Sequence, residues 1–184
     1  MKLETTSQHR NRDQVVLVNE RDETLGAQSK LEAHQNGGVL HRAFSIFIFD
    51  CDGRMLLQRR ADSKYHFAGL WTNACCSHPQ PGEALEAAVH ARLCDEFGFD
   101  VPLREVFSFV YHAHDAQSGL TEREFDHVFI GEFGGEPQPN PHEIGDWKWL
   151  SFEAVRADLA AFPDNYTPWF HIALEQIGAF IGER

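Results

Sequence analysis

In the stretch TNACCSHPQPGE, Thr72 to Glu83, two thiols stand side by side just ahead of a histidine, in a chain with only four cysteines. A thiol can act as nucleophile, metal ligand or proton carrier when its surroundings tune it. If residues 74–78 are extended, side chains alternate, so Cys76 and His78 share one face while Cys75 and Ser77 share the other. Only Cys76 can then share a site with His78. The plainer alternative is that both cysteines are small core residues. A second constellation is TEREF, in which Glu122 and Glu124 lie two apart. In a strand they project to one side about 7 Å apart, from a rise of ~3.3 Å per residue. Two converging carboxylates suit a divalent cation or an acid/base pair. A solvated strand face is the competing reading, and Asp126, on the same side, fits either. Of the eleven histidines, those at 34, 41 and 78 matter most.

These side chains need elements to hold them. VVLV (15–18) reads as a strand, NERDETLG as a turn, and Lys30 to His41 as loop around Gly37 and Gly38. AFSIFIFD, the turn Cys51-Asp52-Gly53 and RMLLQRRA read as a hairpin. From Glu83 to Phe97, Leu85, Ala88, Val89 and Leu93 recur at helical spacing, and Gly98 follows as a terminating glycine. EVFSFVYHAH and LTEREFDHVFIGEF alternate with period two, which predicts a second hairpin carrying Glu122 and Glu124. After a Gly- and Pro-rich connection, DWKWL predicts a strand feeding a helix capped by Ser151, and Pro168 opens a last helix with Phe170, Ala173, Leu174 and Ile177 on one stripe. Strands and hairpins around a central helix, with two late helices, predict an α+β fold: a mixed sheet sandwiched by helices.

At 184 residues and 42% hydrophobic, the chain can bury one core. The polar start, 1–14, reads as a flexible segment and 15–184 as a single domain. A net charge of −12 disfavours nucleic acid and anionic membrane as partners. An anionic substrate would then need metal ions or a local basic cluster. No apolar run approaches the roughly 20 residues of a bilayer span. With no secretory h-region and a poor disulfide framework, reduced thiols in the cytoplasm are the simplest expectation.

The helix region also resembles a degraded Nudix box, G-x5-E-x7-REUxEExGU. Registering Glu96 and Gly98 with its end puts Glu83 on the first glutamate, but Ser77 on the leading glycine, Ala91 on the arginine and Arg92 on the next glutamate. Those departures fall on residues that hold the hydrolytic metal. Taken together, KLEAH, LHRAFS, RRADSK, GLWTNACCSHP and YHAHD with TEREFDHVF resemble the type 1 isopentenyl diphosphate isomerases, which have the Nudix fold. The likeness runs from about Val15 to the WFHIAL helix.

The resemblance implies a mixed Nudix-like sheet flanked by helices and isomerisation of isopentenyl to dimethylallyl diphosphate through a tertiary carbocation. It implies one divalent ion (Mn²⁺, Zn²⁺ or Mg²⁺) on His34, His41, His78, Glu122 and Glu124, and Mg²⁺ bridging the substrate diphosphate to Glu96. Lys30, Arg60 and Lys64, with Arg92 as a fourth candidate, correspond to diphosphate-binding residues, and Trp169 to a tryptophan facing the cation. Cys76 and the Glu124/Tyr111 pair correspond to the acid/base groups. The expected assignment has Glu124, helped by Tyr111, protonating the alkene and Cys76, partly ionised by nearby positive charge, removing the other proton. The partner is a small isoprenoid diphosphate, and the protein a monomer or homodimer. A Nudix hydrolase of a nucleotide or other diphosphate, and a structural zinc module using Cys75, Cys76 and His78, are the competing readings.

Overall fold

The computed structural model describes residues 12–182. Of the expected flexible start, residues 1–11 lie outside the described residues. Within it, Gln14 opens a strand and Arg12 is tied to Glu83.

Nine strands form one mixed sheet. At its centre is β3 (His41–Phe49), almost entirely buried. Phe44, Ile46 and Ile48 project into a core shared with Ala88, Val89, Leu93 and Phe97 of helix α2 (Leu85–Phe97). Phe47 projects the other way, into a core with Val155 of α3 (Phe152–Ala161) and Phe170, Leu174 and Ile177 of α4 (Pro168–Gly182). Covering on both faces explains why AFSIFIF reads as a continuous apolar run instead of an alternation.

Strands β1 (Gln14–Val18) and β2 (Thr24–Ser29) extend the sheet from one part of β3. The expected hairpin of β7 (Arg104–His114) and β8 (Thr121–Glu132) forms a long antiparallel ladder, and β8 runs parallel to β3. The expected hairpin of β3 with β4 (Met55–Arg60) differs from its simplest form. Its ladder holds one pair, Phe49 with Met55, beyond which β4 bonds to β9 (Ile144–Leu150). The short strands β5 (Trp71–Thr72) and β6 (Cys75–Ser77) pair with β4 and β3 respectively. The parting of β3 and β4 therefore gives the TNACCS segment its place.

Two stretches read as turn or loop are ordered elements. β2 is an exposed strand with little apolar signal. α1 (Lys30–His34) is a five-residue helix capped by Ser29, whose Oγ accepts from the Glu32 N–H at 3.4 Å and whose hydroxyl donates to the Glu32 carboxylate at 2.6 Å. α2 starts two residues later than expected and ends as expected, at Gly98 with φ 75°. There the Gly98 N–H reaches the Cys94 carbonyl, and an added Cβ would lie 3.0 Å from that of Gln138. Gly98→Ala is therefore expected to destabilise the fold by about 1–2 kcal/mol, the usual cost of a left-handed non-glycine residue. The midpoint of urea unfolding measures it.

Candidate active site

Strand register brings the first groups together. Across β7, β8 and β3, Tyr111 pairs with Glu124 and Glu124 with His41. α1 adds His34, and the segment after β6 adds His78. One ligand atom from each of His34, His41, His78, Glu122 and Glu124 falls within 4.8 Å of the others, and all five residues are buried. The solvated-face reading of Glu122 and Glu124 is thus overturned.

The bonds around this cluster fix which atoms face inward. His34 Nδ1 lies 2.5 Å from the Lys30 carbonyl and His41 Nδ1 lies 2.7 Å from that of Val39. A carbonyl only accepts, so both Nδ1 atoms carry hydrogen and Nε2 of each ring is the atom turned into the cluster; burial acts to lower His34, but the Glu122 carboxylate outweighs it and raises the imidazole. His34 Nε2 and Glu122 Oε2 lie 2.7 Å apart, yet neither has a hydrogen-bond partner. His41 Nε2 and His78 Nε2 face one another at 3.2 Å. Three imidazole nitrogens and two carboxylates converging in a buried pocket are costly alone and natural around a cation. The residues fit a divalent ion.

Their ionisation agrees. Burial pushes Glu122 up, but the imidazoles of His34 and His66 outweigh it and hold the carboxyl well below its usual range. For Glu124, burial and the charge on Glu122 act upward, and His78 and His41 prevail, leaving it low. Burial brings His78 down to about 3, so it is neutral and ligand-competent.

Beside the cluster opens a cleft of about 530 Å³, lined by Cys76, Tyr111, Trp169 and the cations Lys30, Arg60, Lys64 and Arg92 among others. Trp169 contacts both candidate proton carriers. Its Nε1 lies 3.2 Å from Cys76 Sγ, and its ring centroid is 6.0 Å from that of Tyr111. One cation already sits over this ring, the Arg60 guanidinium at 5.5 Å. Tyr111 donates to Glu124 Oε2 at 2.5 Å, and burial followed by the Glu124 charge raises its phenol well above the usual value.

Strand alternation separates the two cysteines as expected, although Ser77, expected on the Cys75 side, also lines the cleft. Cys75 is fully buried in the α2 core, whereas Cys76 lines the cleft with His78. The thiol is tightly placed. The Asn73 amide nitrogen donates to the carbonyls of Ile46 and Cys75, so its Oδ1 faces Sγ and accepts the thiol hydrogen at 3.1 Å. The expected partial ionisation of Cys76 is corrected: burial, then the neighbouring Asp126, pushes the thiol up to about 12. The positive groups nearby are too weakly coupled to offset loss of solvent.

Two of these cations hold internal anions. Lys64 pairs with Glu143, and Arg92 contacts both Glu96, at 2.5 Å, and Glu143, at 3.2 Å. Lys30, brought down to about 8 chiefly by burial, lies 5.6 Å from the Tyr65 ring. Glu96 is the one expected site residue set apart. It is buried, bonded to Arg92 and Gln58, and Arg92 rather than Glu96 lines the cleft.

Sequence reasoning passed over several neighbours. His66, in the loop after β4, bonds Glu122, and Arg12 donates to the His78 carbonyl and to Glu83. Glu143, Asn73 and Ser45, which bonds Asp126 at 2.7 Å, complete the surroundings. Only Asn73 had a local signal, its place in TN-x-x-C. The rest converge through long-range pairing.

A NUDIX domain model matches residues 39–170. The chain is 54% identical over 156 residues to "Isopentenyl-diphosphate Delta-isomerase 2" of Photorhabdus laumondii, covering 85% of this chain and 87% of that protein. It is 47% identical over 165 residues to "Isopentenyl-diphosphate Delta-isomerase" of Halorhodospira halophila, covering 89% and 94%. Among solved structures, a Deinococcus radiodurans protein superposes with TM-score 0.66 at 25% identity over 80% of this chain and 89% of that one. A MutT protein of Methanosarcina mazei superposes with TM-score 0.62 at 16% identity over 79% and 96%, a likeness of fold alone.

Proposed function

The chain belongs to the NUDIX family and, within it, to the isopentenyl-diphosphate Delta-isomerases, and on that premise we propose how its own residues carry the reaction. The activity is conversion of isopentenyl diphosphate to dimethylallyl diphosphate. Hydrolysis is not favoured, with Ala91 and Arg92 standing where the Nudix box has its arginine and a glutamate. A purely structural zinc module is set aside with it.

Moving the double bond requires one proton added and another removed, with positive charge on the carbon between. The reading rests on one observation: a cluster of five potential ligands beside a cleft that presents a thiol and a phenol-carboxylate pair to the same tryptophan. Cys76 enters the cycle as a thiol and Glu124 as a carboxylate. In the isopentenyl direction Sγ–H therefore gives its proton to the terminal alkene carbon. The proton lost from the adjacent methylene passes to the Tyr111–Glu124 pair. This reverses the assignment expected from sequence, and the reverse reaction exchanges the two roles. Trp169 offers the developing cation a π face without a lone pair to attack it. Arg60, Lys64, Arg92 and Lys30 take the diphosphate, Lys64 and Arg92 with charge to spare once Glu143 yields.

A divalent ion held by His34, His41, His78, Glu122 and Glu124 would supply charge that favours the ionised form of both carboxylates, whereas Glu96, bonded to Arg92 and Gln58 and off the cleft lining, presents no open ligand for the expected Mg²⁺. Three imidazoles with two carboxylates suit Mn²⁺ or Zn²⁺ better than Mg²⁺, which prefers oxygen ligands. Four unbridged cysteines support a reducing, cytoplasmic setting, and no helix among the described residues is long and apolar enough to cross a membrane.

Incubation with isopentenyl diphosphate and Mg²⁺ in deuterated water tests the proton chemistry. Dimethylallyl diphosphate carrying solvent deuterium is expected, and a product with substrate hydrogens only would overturn addition and removal of protons. Stripping the protein with a chelator should stop turnover, and Mn²⁺ or Zn²⁺ with Mg²⁺ should restore it. Full activity in metal-free protein would refute the ligand set.

A further inference from the structure

His66 is a fourth histidine at the metal cluster, outside the five proposed ligands. It is 5% exposed, and its ring centroid lies 5.3 Å from that of His34. Its Nε2 bonds Glu122 Oε1, while its Nδ1 is buried without a hydrogen-bond partner. A neutral imidazole has one N–H, and a carboxylate only accepts, so the hydrogen is on Nε2 and is given to Glu122.

That bond divides the work of the carboxylate. Oε1 is held by His66, and Oε2 is left turned to His34 Nε2 at 2.7 Å and His41 Nε2 at 4.0 Å. Without a donor on Oε1, Glu122 can rotate about its terminal bond and present either oxygen or both. The loop is well fixed for this task. The Arg60 guanidinium donates to the carbonyls of His66 and Phe67, and Asp115 accepts from the Phe67 N–H.

We propose that His66 is a positioning residue for the metal site, holding Glu122 so that Oε2 alone faces the ion. The inference rests on the five-ligand reading given above. Outer hydrogen-bond partners of metal ligands typically account for 10- to 100-fold in affinity. His66 is given that share here.

The test is titration of the metal-stripped full chain with Mn²⁺, and separately Zn²⁺, against a competing chromophoric chelator. His66→Phe keeps the ring and removes the donor; it is expected to weaken binding about 10- to 100-fold. His66→Gln, which restores an N–H at similar reach, should bind within a few-fold of the parent. Thermal melting of the metal-free variants checks folding, and His66→Ala serves in place of His66→Phe if the latter does not fold. Parent-like affinity in His66→Phe or His66→Ala, with Glu122→Gln weakened, overturns the role of His66 alone. A His66→Gln variant as weak as His66→Phe also overturns it, since His66 would then be a ligand itself. Parent-like affinity in Glu122→Gln, or no ion bound by the parent, overturns the five-ligand reading and this inference with it.

Discussion

Cys76→Ala is expected to lower turnover of isopentenyl diphosphate by a factor on the order of 10² to 10⁴, the usual worth of a positioned proton carrier, whereas Cys75→Ala keeps turnover close to that of the parent. The two thiols are neighbours in sequence and on opposite sides of the sheet. Cys76 Sγ has Asn73 Oδ1 at 3.1 Å, Ser45 Oγ at 3.6 Å and, from the cleft lining, Trp169 Nε1 at 3.2 Å. Cys75 packs in the core with Val89 and Leu93. Cys75→Ala removes one buried sulfur and should show in the unfolding midpoint, not in kcat. Steady-state kinetics on both variants, with a melting curve for each, separates the effects. Equal loss of turnover from both substitutions would contradict the assignment of Cys76 as the reacting thiol.

How much of this was legible depends on the range of the interaction that carries each part. The β7–β8 hairpin was plain because alternation is local, and with it the shared face of Glu122 and Glu124. The same period-two rule separated Cys76 from Cys75, because β6 is extended, if only three residues long. α1 escaped because five residues are too few for a helical period; its available signal was the N-cap Ser29. The splaying of β3 from β4 was hidden because β5 and β6 pair with them across the sheet, a long-range choice that no window of sequence records. His66 and Glu143 lie in irregular segments, where no period says which way a side chain points. The thiol ionisation was misjudged for a related reason. The sequence places His78 two residues from Cys76, but does not show that Sγ loses its water to Trp169, Asn73 and Ser45.

Glu124→Gln carries the other large expected effect, because the carboxylate serves both proposed parts of the site. Oε1 lies 2.6 Å from His78 Nε2 and 3.5 Å from His41 Nε2, on the ion side, and Oε2 takes the Tyr111 hydroxyl. An amide has one acceptor oxygen and one donor nitrogen. If its oxygen faces Tyr111, its N–H₂ points at the His78 lone pair and occupies a position the ion needs. If it is flipped, the Tyr111 hydroxyl loses its acceptor and the proton lost by substrate has no base to receive it. Both orientations are damaging, so turnover should fall on the order of 10³ to 10⁴, near the top of the range for acid/base groups. Ion affinity should fall further than the roughly 10- to 100-fold cost of losing an outer partner. Saturating Mn²⁺ distinguishes the parts. Glu122→Gln, which leaves the Tyr111–Glu124 pair intact, should recover turnover as the site fills, whereas Glu124→Gln should stay inactive at full occupancy. Recovery of Glu124→Gln to parent turnover at saturating ion would reduce Glu124 to a ligand and leave Tyr111 without its proposed partner in proton transfer.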